Sequence, residues 1–213
     1  MKNKTYFLLF DYLYFAIKQN FTFIAFNAPF ILVLFLFELE IQMIMIYLLT
    51  SITLPPSLSL LIRNYDLKIN QNIELKFIDQ IKQFPRLLVT LLPLSLIFNV
   101  IVLTLVFFGD ISAVIPSNLR IVLSSLSLVY VMLFIPLLYY VGINKDKPMK
   151  DVIPYSIYHS ILRFPISIIV TLFTLVFIYY LIIYPIQLTL IFPTVLTLVI
   201  YHFCKLLTYR RSN

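Results

Sequence analysis

The sequence is poor in the residues on which soluble enzymes and disulfide-stabilised domains depend. Charged residues make up only 12% of the 213 positions, whereas about 25% is usual in a soluble domain. Two glycines, Gly109 and Gly142, leave no glycine-rich phosphate loop and no G-x-x-x-G helix-packing motif. A single cysteine, Cys204, excludes an internal disulfide and a cysteine-rich metal site. Tryptophan is absent, so tyrosines must form any aromatic belt at a membrane surface.

The side chains that catalysis and ion coupling require are also missing. His159 and His202 lie far apart, and neither has an acidic or cysteine neighbour at the spacing of a metal site. No Ser-His-Asp set can be assembled. No Asp, Glu, Lys or Arg lies deep inside an apolar run, although an ion-coupled transporter usually needs one there. We therefore predict a protein that is not an enzyme and that holds no cofactor or metal.

Apolar residues dominate what is present. They make up 62% of the chain, the mean hydropathy is +0.99, and apolar runs long enough to cross a bilayer recur along the sequence. The fold class predicted is all-α: one integral membrane domain over residues 1–213, with six transmembrane helices in three hairpins. The predicted spans are approximately 21–37, 41–62, 87–109, 121–143, 165–184 and 187–204.

The basic residues set the predicted orientation. With six spans and the N-terminus in the cytoplasm, all of the Lys and Arg residues except Arg120 fall on the cytoplasmic side, as does the C-terminus. This pattern predicts contact with anionic lipid headgroups and argues against nucleic acid as the partner of a chain with net charge +7. Two crossings after residue 164, with a turn near Pro185, fit the charge of the tail. A last helix that enters the membrane only partway remains an alternative.

Three segments before the odd-numbered spans, 6–21, 74–85 and 151–165, are predicted to lie in the cytoplasmic interface as amphipathic helices. The last two end in Phe-Pro. The alternative is that they are the cytoplasmic ends of long, tilted spans. The cations predicted to contact lipid or a partner are Lys76, Lys82, Arg86 and Arg163.

The even-numbered spans carry proline ahead of their basic ends, as in "ITLPPSLSLLIRNYD" (52–66). Proline removes a backbone donor, so each of these helices is predicted to break inside the membrane and restart, in a pattern that is either a threefold repeat or coincidence. The break could line a substrate or partner site, or it could be only a kink that shapes packing. The residues of this predicted helix-break site are Asn27, Thr53, Pro55, Pro56, Ser57, Ser59, Asn99, Pro136, Pro193, Thr194 and Thr197.

Three stretches resemble the YesL-like family of small bacterial integral membrane proteins. They are "KQNFTFIAFN" (18–27), "LPPSLSLLIRNY" (54–65) with "FIDQIKQFPRLL" (77–88), and "FPTVLTLVIYHFCKLL" (192–207). The resemblance implies no catalytic residues. It implies a place beside carbohydrate uptake systems of the ABC type, because members of that family often occur beside their genes.

The main functional hypothesis is a non-enzymatic protein of a bacterial cell membrane that acts as an accessory or partner subunit of an ABC-type importer. One alternative is a small facilitator or channel lined by the proline-broken helices. Another is a membrane immunity or stress protein.

Overall fold

The computed structural model describes residues 2–37, 40–106, 116–144, 147–183 and 192–208, and within these ranges the chain is helical with no strand. The helices are α1 (Lys2–Phe26), α2 (Ala28–Leu36), α3 (Ile44–Ser51), α4 (Leu54–Gln71), α5 (Phe77–Val106), α6 (Ser117–Ile143), α7 (Met149–Leu162), α8 (Phe164–Ile183) and α9 (Phe192–Thr208). A 3₁₀ turn, Ile41–Met43, leads into α3.

By length and composition, between three and five helical segments in the described part of the chain could cross a membrane. Three could do so without a sharp bend: Ile41–Gln71, Phe77–Thr104 and Asn118–Ile143. Two more exist if each bent pair, α1 with α2 and α7 with α8, forms one crossing. The shorter α9 contributes an apolar helix over Pro193–Leu206. The all-α class predicted from the sequence is confirmed for the described residues, and their three to five candidate spans are compatible with a multi-pass membrane protein.

The predicted span 21–37 is wrong as a single helix. The chain bends by 74° between α1 and α2, at Asn27. Pro29, in the first turn of α2, lacks the N–H that would continue α1 and its ring would clash with the carbonyl four residues earlier. The nine residues of α2 extend about 14 Å, which is less than half of a bilayer core of about 30 Å.

The predicted interfacial segments differ from one another. Residues 151–162 belong to α7, which is a separate helix bent by 102° from α8. Residues 77–85 instead form the first turns of the continuous helix α5, in which Pro85 lies inside the helix. The alternative interpretation, the end of a long span, therefore describes the second segment.

The predicted proline breaks also have different outcomes. The helix is interrupted at Ile52 and Thr53, and α4 restarts with Pro55 and Pro56 in its first turn, as predicted. Pro136 lies inside the unbroken helix α6, so the predicted break at that position is wrong. Pro193 lies in the first turn of α9, and the turn near Pro185 that should precede it lies outside the described residues.

The first half of α4 is the centre of the bundle. Every residue from Pro55 to Ile62 is buried, and α4 packs against α5, α6 and α9. On α6 the buried stretch runs from Phe134 to Gly142. Gly142 allows the closest approach, because a Cβ there would lie 2.6 Å from the carbonyl oxygen of Ser59. A larger residue at this position would push α4 and α6 apart.

Candidate functional site

The bend between α1 and α2 and the interruption between α3 and α4 are joined by one buried side chain, Asn27. Its Nδ2 donates to Ser57 Oγ at 2.8 Å and to the Phe23 carbonyl at 2.9 Å. Its Oδ1 accepts from Thr53 Oγ1 at 2.8 Å, while Ser57 Oγ donates in turn to the Leu54 carbonyl. Backbone polar groups freed in an apolar interior must be paired within the protein, and this network supplies those partners. The structure thus brings together three of the predicted site residues.

Ser59 lies deeper in α4 and contacts α6. Its hydroxyl donates to the carbonyl of Leu138 at 3.0 Å, on the turn of α6 that follows Pro136. Both Ser59 and Pro136 are buried. This hydroxyl is therefore used in joining two helices, rather than in lining an open path.

The start of α9 is attached to α1 by a residue that the sequence did not indicate, Asn20. Its Oδ1 accepts from the backbone N–H of Thr194 at 3.0 Å and from Thr194 Oγ1 at 2.7 Å. The first N–H groups of a helix have no partner within the helix, so Asn20 caps α9 from outside. Pro193 and Thr197 are buried beside this contact on the same helix.

A cavity of about 60 Å³ lies between the helix interruption and α5, α6, α8 and α9. Its lining is apolar except for Ser51, Asn99 and Thr174, and Pro55 also contributes. Asn99 is only 3% exposed, and its Nδ2 has no hydrogen-bond partner among the described residues. The cavity has room for one or a few water molecules, which need polar partners of this kind.

A group of charged residues ties α1 to α4 and to the connector that precedes α5. Lys68 Nζ lies 2.6 Å from Asp11 Oδ2 and 2.8 Å from Glu74 Oε1, and Lys18 Nζ lies 3.1 Å from Glu74 Oε2. Burial of Glu74 would raise the pKa of its carboxyl, but hydrogen bonds from Lys68 and Lys18 outweigh it and hold that pKa below its ordinary value. Lys68 itself is 6% exposed, so it depends on these partners.

A second polar group ties the C-terminal ends of α4 and α9. Tyr201 donates its hydroxyl to Asp66 Oδ1 at 3.0 Å, and Asn70 Nδ2 donates to the same oxygen at 2.6 Å. Lys205 Nζ lies 3.3 Å from the Tyr201 hydroxyl. The charged residues thus gather where α4, α6 and α9 end and α5 begins, and we call this the basic end of the bundle.

Two of the four predicted contact cations line a pocket at the basic end. Lys82 and Arg86 face a pocket of about 480 Å³ together with Arg63 from α4 and Lys147 from the connector after α6. The other two do not line it. Lys76 is exposed beside the start of α5, and Arg163 donates to the carbonyl of Leu206 in the last turn of α9.

Within the described ranges no three His, Cys, Asp or Glu side chains come close enough to hold a metal ion. No protein-family model matches the chain, and no match was found among the curated proteins or the solved structures.

The residues that sequence reasoning missed are polar groups whose partners lie far away along the chain. The pair Asn20 and Thr194 is separated by 174 residues, and Lys68 and Asp11 by 57. The only signal was that Asp11 and Lys18 interrupt an otherwise apolar N-terminal stretch, which indicates that each has a partner.

Proposed function

We propose that the protein is a six-span, non-enzymatic protein of a bacterial cell membrane, with both termini in the cytoplasm, that acts as a partner subunit of an ABC-type uptake system. The observation that favours a subunit role over a lined path is the pairing of the interior polar side chains. Asn27, Thr53, Ser57 and Ser59 are paired with one another or with backbone groups, so they hold helices together.

The outer surface of the bundle supports insertion among lipids or membrane partners. Large apolar side chains are widely exposed on the long helices α5 and α6, where Val89 is 75% exposed and Ile121 is 68% exposed. A soluble protein rarely exposes contiguous apolar surface on this scale. The gathering of cations at one end supports the proposed placement of that end in the cytoplasm.

The link to carbohydrate uptake rests on the resemblance to the YesL-like family, since nothing in the bundle selects a sugar. Purification of the tagged protein from its native membrane in mild detergent tests it. We expect the ATPase and permease subunits of an importer to be enriched with the protein. Recovery of the protein without any transporter subunit would contradict the proposal.

A matched pair of charge reversals can locate the contact. Lys76→Glu alters the exposed surface at the basic end, and Arg120→Glu makes the same charge change near the start of α6, at the other end. We expect only Lys76→Glu to reduce recovery of the partner subunits. Equal recovery with both variants would show that the subunits do not bind at the basic end.

A small-solute facilitator is the second candidate, and the cavity beside the helix interruption favours it. Asn99 would offer a buried N–H donor to a neutral solute there. In proteoliposomes Asn99→Leu should then reduce solute flux, while Thr104→Val, which removes an exposed hydroxyl of the same helix, should not. Equal flux through all three proteins would remove this candidate.

A further inference from the structure

The pocket at the basic end gathers positive charge from three separate parts of the chain. Arg63 comes from α4, Lys82 and Arg86 from α5, and Lys147 from the connector between α6 and α7. Among the described residues that line it there is no Asp or Glu. Like charges around one concavity repel one another, and an anion bound between them would reduce that repulsion.

The shape of the pocket suits a compact anion with an uncharged extension. Its volume of about 480 Å³ falls within the range of about 300–1,000 Å³ that is typical of ligand sites. Lys82 and Arg86 are one helical turn apart on the same side of α5, and Leu87 and Thr90 continue that lining along the helix. Gly142 and Val152 add further uncharged lining.

Among the described residues, Asp66 and the C-terminus of α6 oppose an anion, and neither fills the pocket. Asp66 lies in the adjoining pocket of about 330 Å³, which shares Arg63 and Lys147, and its carboxylate accepts hydrogen bonds from Tyr201 and Asn70. The C-terminus of α6 directs its partial negative charge toward this region, but a helix terminus carries only about half a unit charge, against four cations.

We propose that this pocket binds a phosphate group, carried either by a phospholipid headgroup or by a small soluble phosphate compound. Arginine offers a planar pair of donors that matches two phosphate oxygens, and lysine adds a compact charge. Basic pockets between membrane helices at the cytoplasmic side are where anionic headgroups bind. The pocket would bind whether or not an importer is the partner of the protein.

The proposal is tested by measuring ligand-dependent thermal stabilisation of the purified protein, without any partner subunit, in two experiments. In nanodiscs, phosphatidylglycerol is compared with phosphatidylcholine. In neutral detergent, inorganic phosphate and glycerol 3-phosphate are titrated. Thermal stabilisation is the readout in both experiments. Stabilisation by phosphatidylglycerol alone assigns the pocket to lipid, and stabilisation by the soluble compounds assigns it to a free phosphate.

Variants that lose equal charge distinguish binding of the anion in the pocket from its attraction to the positive charge of the surface. Lys82→Gln with Arg86→Gln should weaken the apparent affinity at least about tenfold, because two of the four cations are lost. Lys150→Gln with Lys205→Gln removes the same charge from positions at the basic end that do not line the pocket, and we expect less than about a twofold change. The exchange of Lys82→Arg with Arg86→Lys should retain most of the binding and show that the pocket is still folded.

Two results would overturn the proposal. One is equal weakening by both neutralised pairs, which would mean that a diffuse field attracts the anion. The other is stabilisation by neither the lipid nor the soluble phosphates in wild-type protein.

Discussion

The dipeptide Phe-Pro occurs at 84–85 and at 164–165, and the chain responds to it in two ways. At Phe84 and Pro85 the helix α5 continues without a break from Phe77 to Val106. At Phe164 and Pro165 the chain turns by 102° between α7 and α8. The same local chemistry, loss of one backbone donor and a ring beside the previous turn, therefore permits a bend without requiring it.

Tertiary contacts make the difference between the two regions. On α7 the side chains of Val152, Ser156 and Ser160 are buried, and both α7 and α8 pack against α6. Across the bend, Ser167 Oγ donates to the Ser160 carbonyl, an acceptor in the last turn of α7.

The first turns of α5 have no comparable anchor. Over residues 77–85 only Gln80 is buried, and the contacts of Phe77 and Phe84 with Phe26 of α1 join half-buried or exposed rings. The chain bends at a proline where buried contacts stabilise the bent conformation.

Replacement of the two prolines gives the largest expected effect. Pro85→Ala should raise the free energy of unfolding by up to about 3 kcal/mol, because a proline inside a helix costs about that much. Pro165→Ala should change it by less than about 0.5 kcal/mol, because the first turn of a helix does not need that N–H. Thermal unfolding in detergent measures both changes. Equal gains in stability from the two replacements would contradict the difference between Pro85 and Pro165.

Replacement of Asn27 should have the second-largest effect on the free energy of unfolding. Asn27→Ala removes the hydrogen bonds to Ser57, Thr53 and the Phe23 carbonyl, and we expect a loss of about 2 kcal/mol from groups left buried without partners. Asn118→Ala, at an exposed position on α6, is the control and should be neutral. A neutral Asn27→Ala would show that the bend does not depend on this side chain.

Removal of the hydroxyl that spans the second bend should have a smaller effect. Ser167→Ala should cost about 1 kcal/mol, and Ser125→Ala, which removes only an exposed bond within one helix, should cost less. Spin labels at Tyr158 and Leu172 report the angle between α7 and α8, and their distance distribution should broaden in Ser167→Ala. An unchanged distribution would mean that packing alone sets the angle.

Replacement of Glu74, in the connector that leads into α5, should have the smallest effect on stability, and that effect should depend on pH. The pKa of Glu74 is lowered in the folded protein, so its stabilisation is complete above the ordinary value of 4.5 and is lost as the pH falls through the folded value. The free energy of unfolding of the wild-type protein should exceed that of Glu74→Gln by about 0.5 kcal/mol at pH 7. The stabilities of the two proteins should converge as the pH falls below 4.5. A constant difference across this range would contradict the ion pairs with Lys68 and Lys18.

Sequence reasoning anticipated the features that depend on local composition. Apolar runs predicted α5, α6 and α8 as long apolar helices, and the two prolines before Ser57 predicted the restart of α4. It could not distinguish Pro136, inside an unbroken helix, from Pro165, beside a bend, because the deciding contacts come from other helices. For the same reason it named Asn27, Thr53 and Ser57 without pairing them with one another, and it missed Asn20 and Lys68.

The central claim is that a multi-pass membrane protein holds its basic end in the cytoplasm, and cysteine labelling in intact cells tests it most directly. The native Cys204 is buried and gives little background. A membrane-impermeant thiol reagent should label Asn118→Cys in intact cells and Lys82→Cys only after the cells are opened. Labelling of Lys82→Cys from outside, with Asn118→Cys protected, would contradict the orientation and the proposals that depend on it.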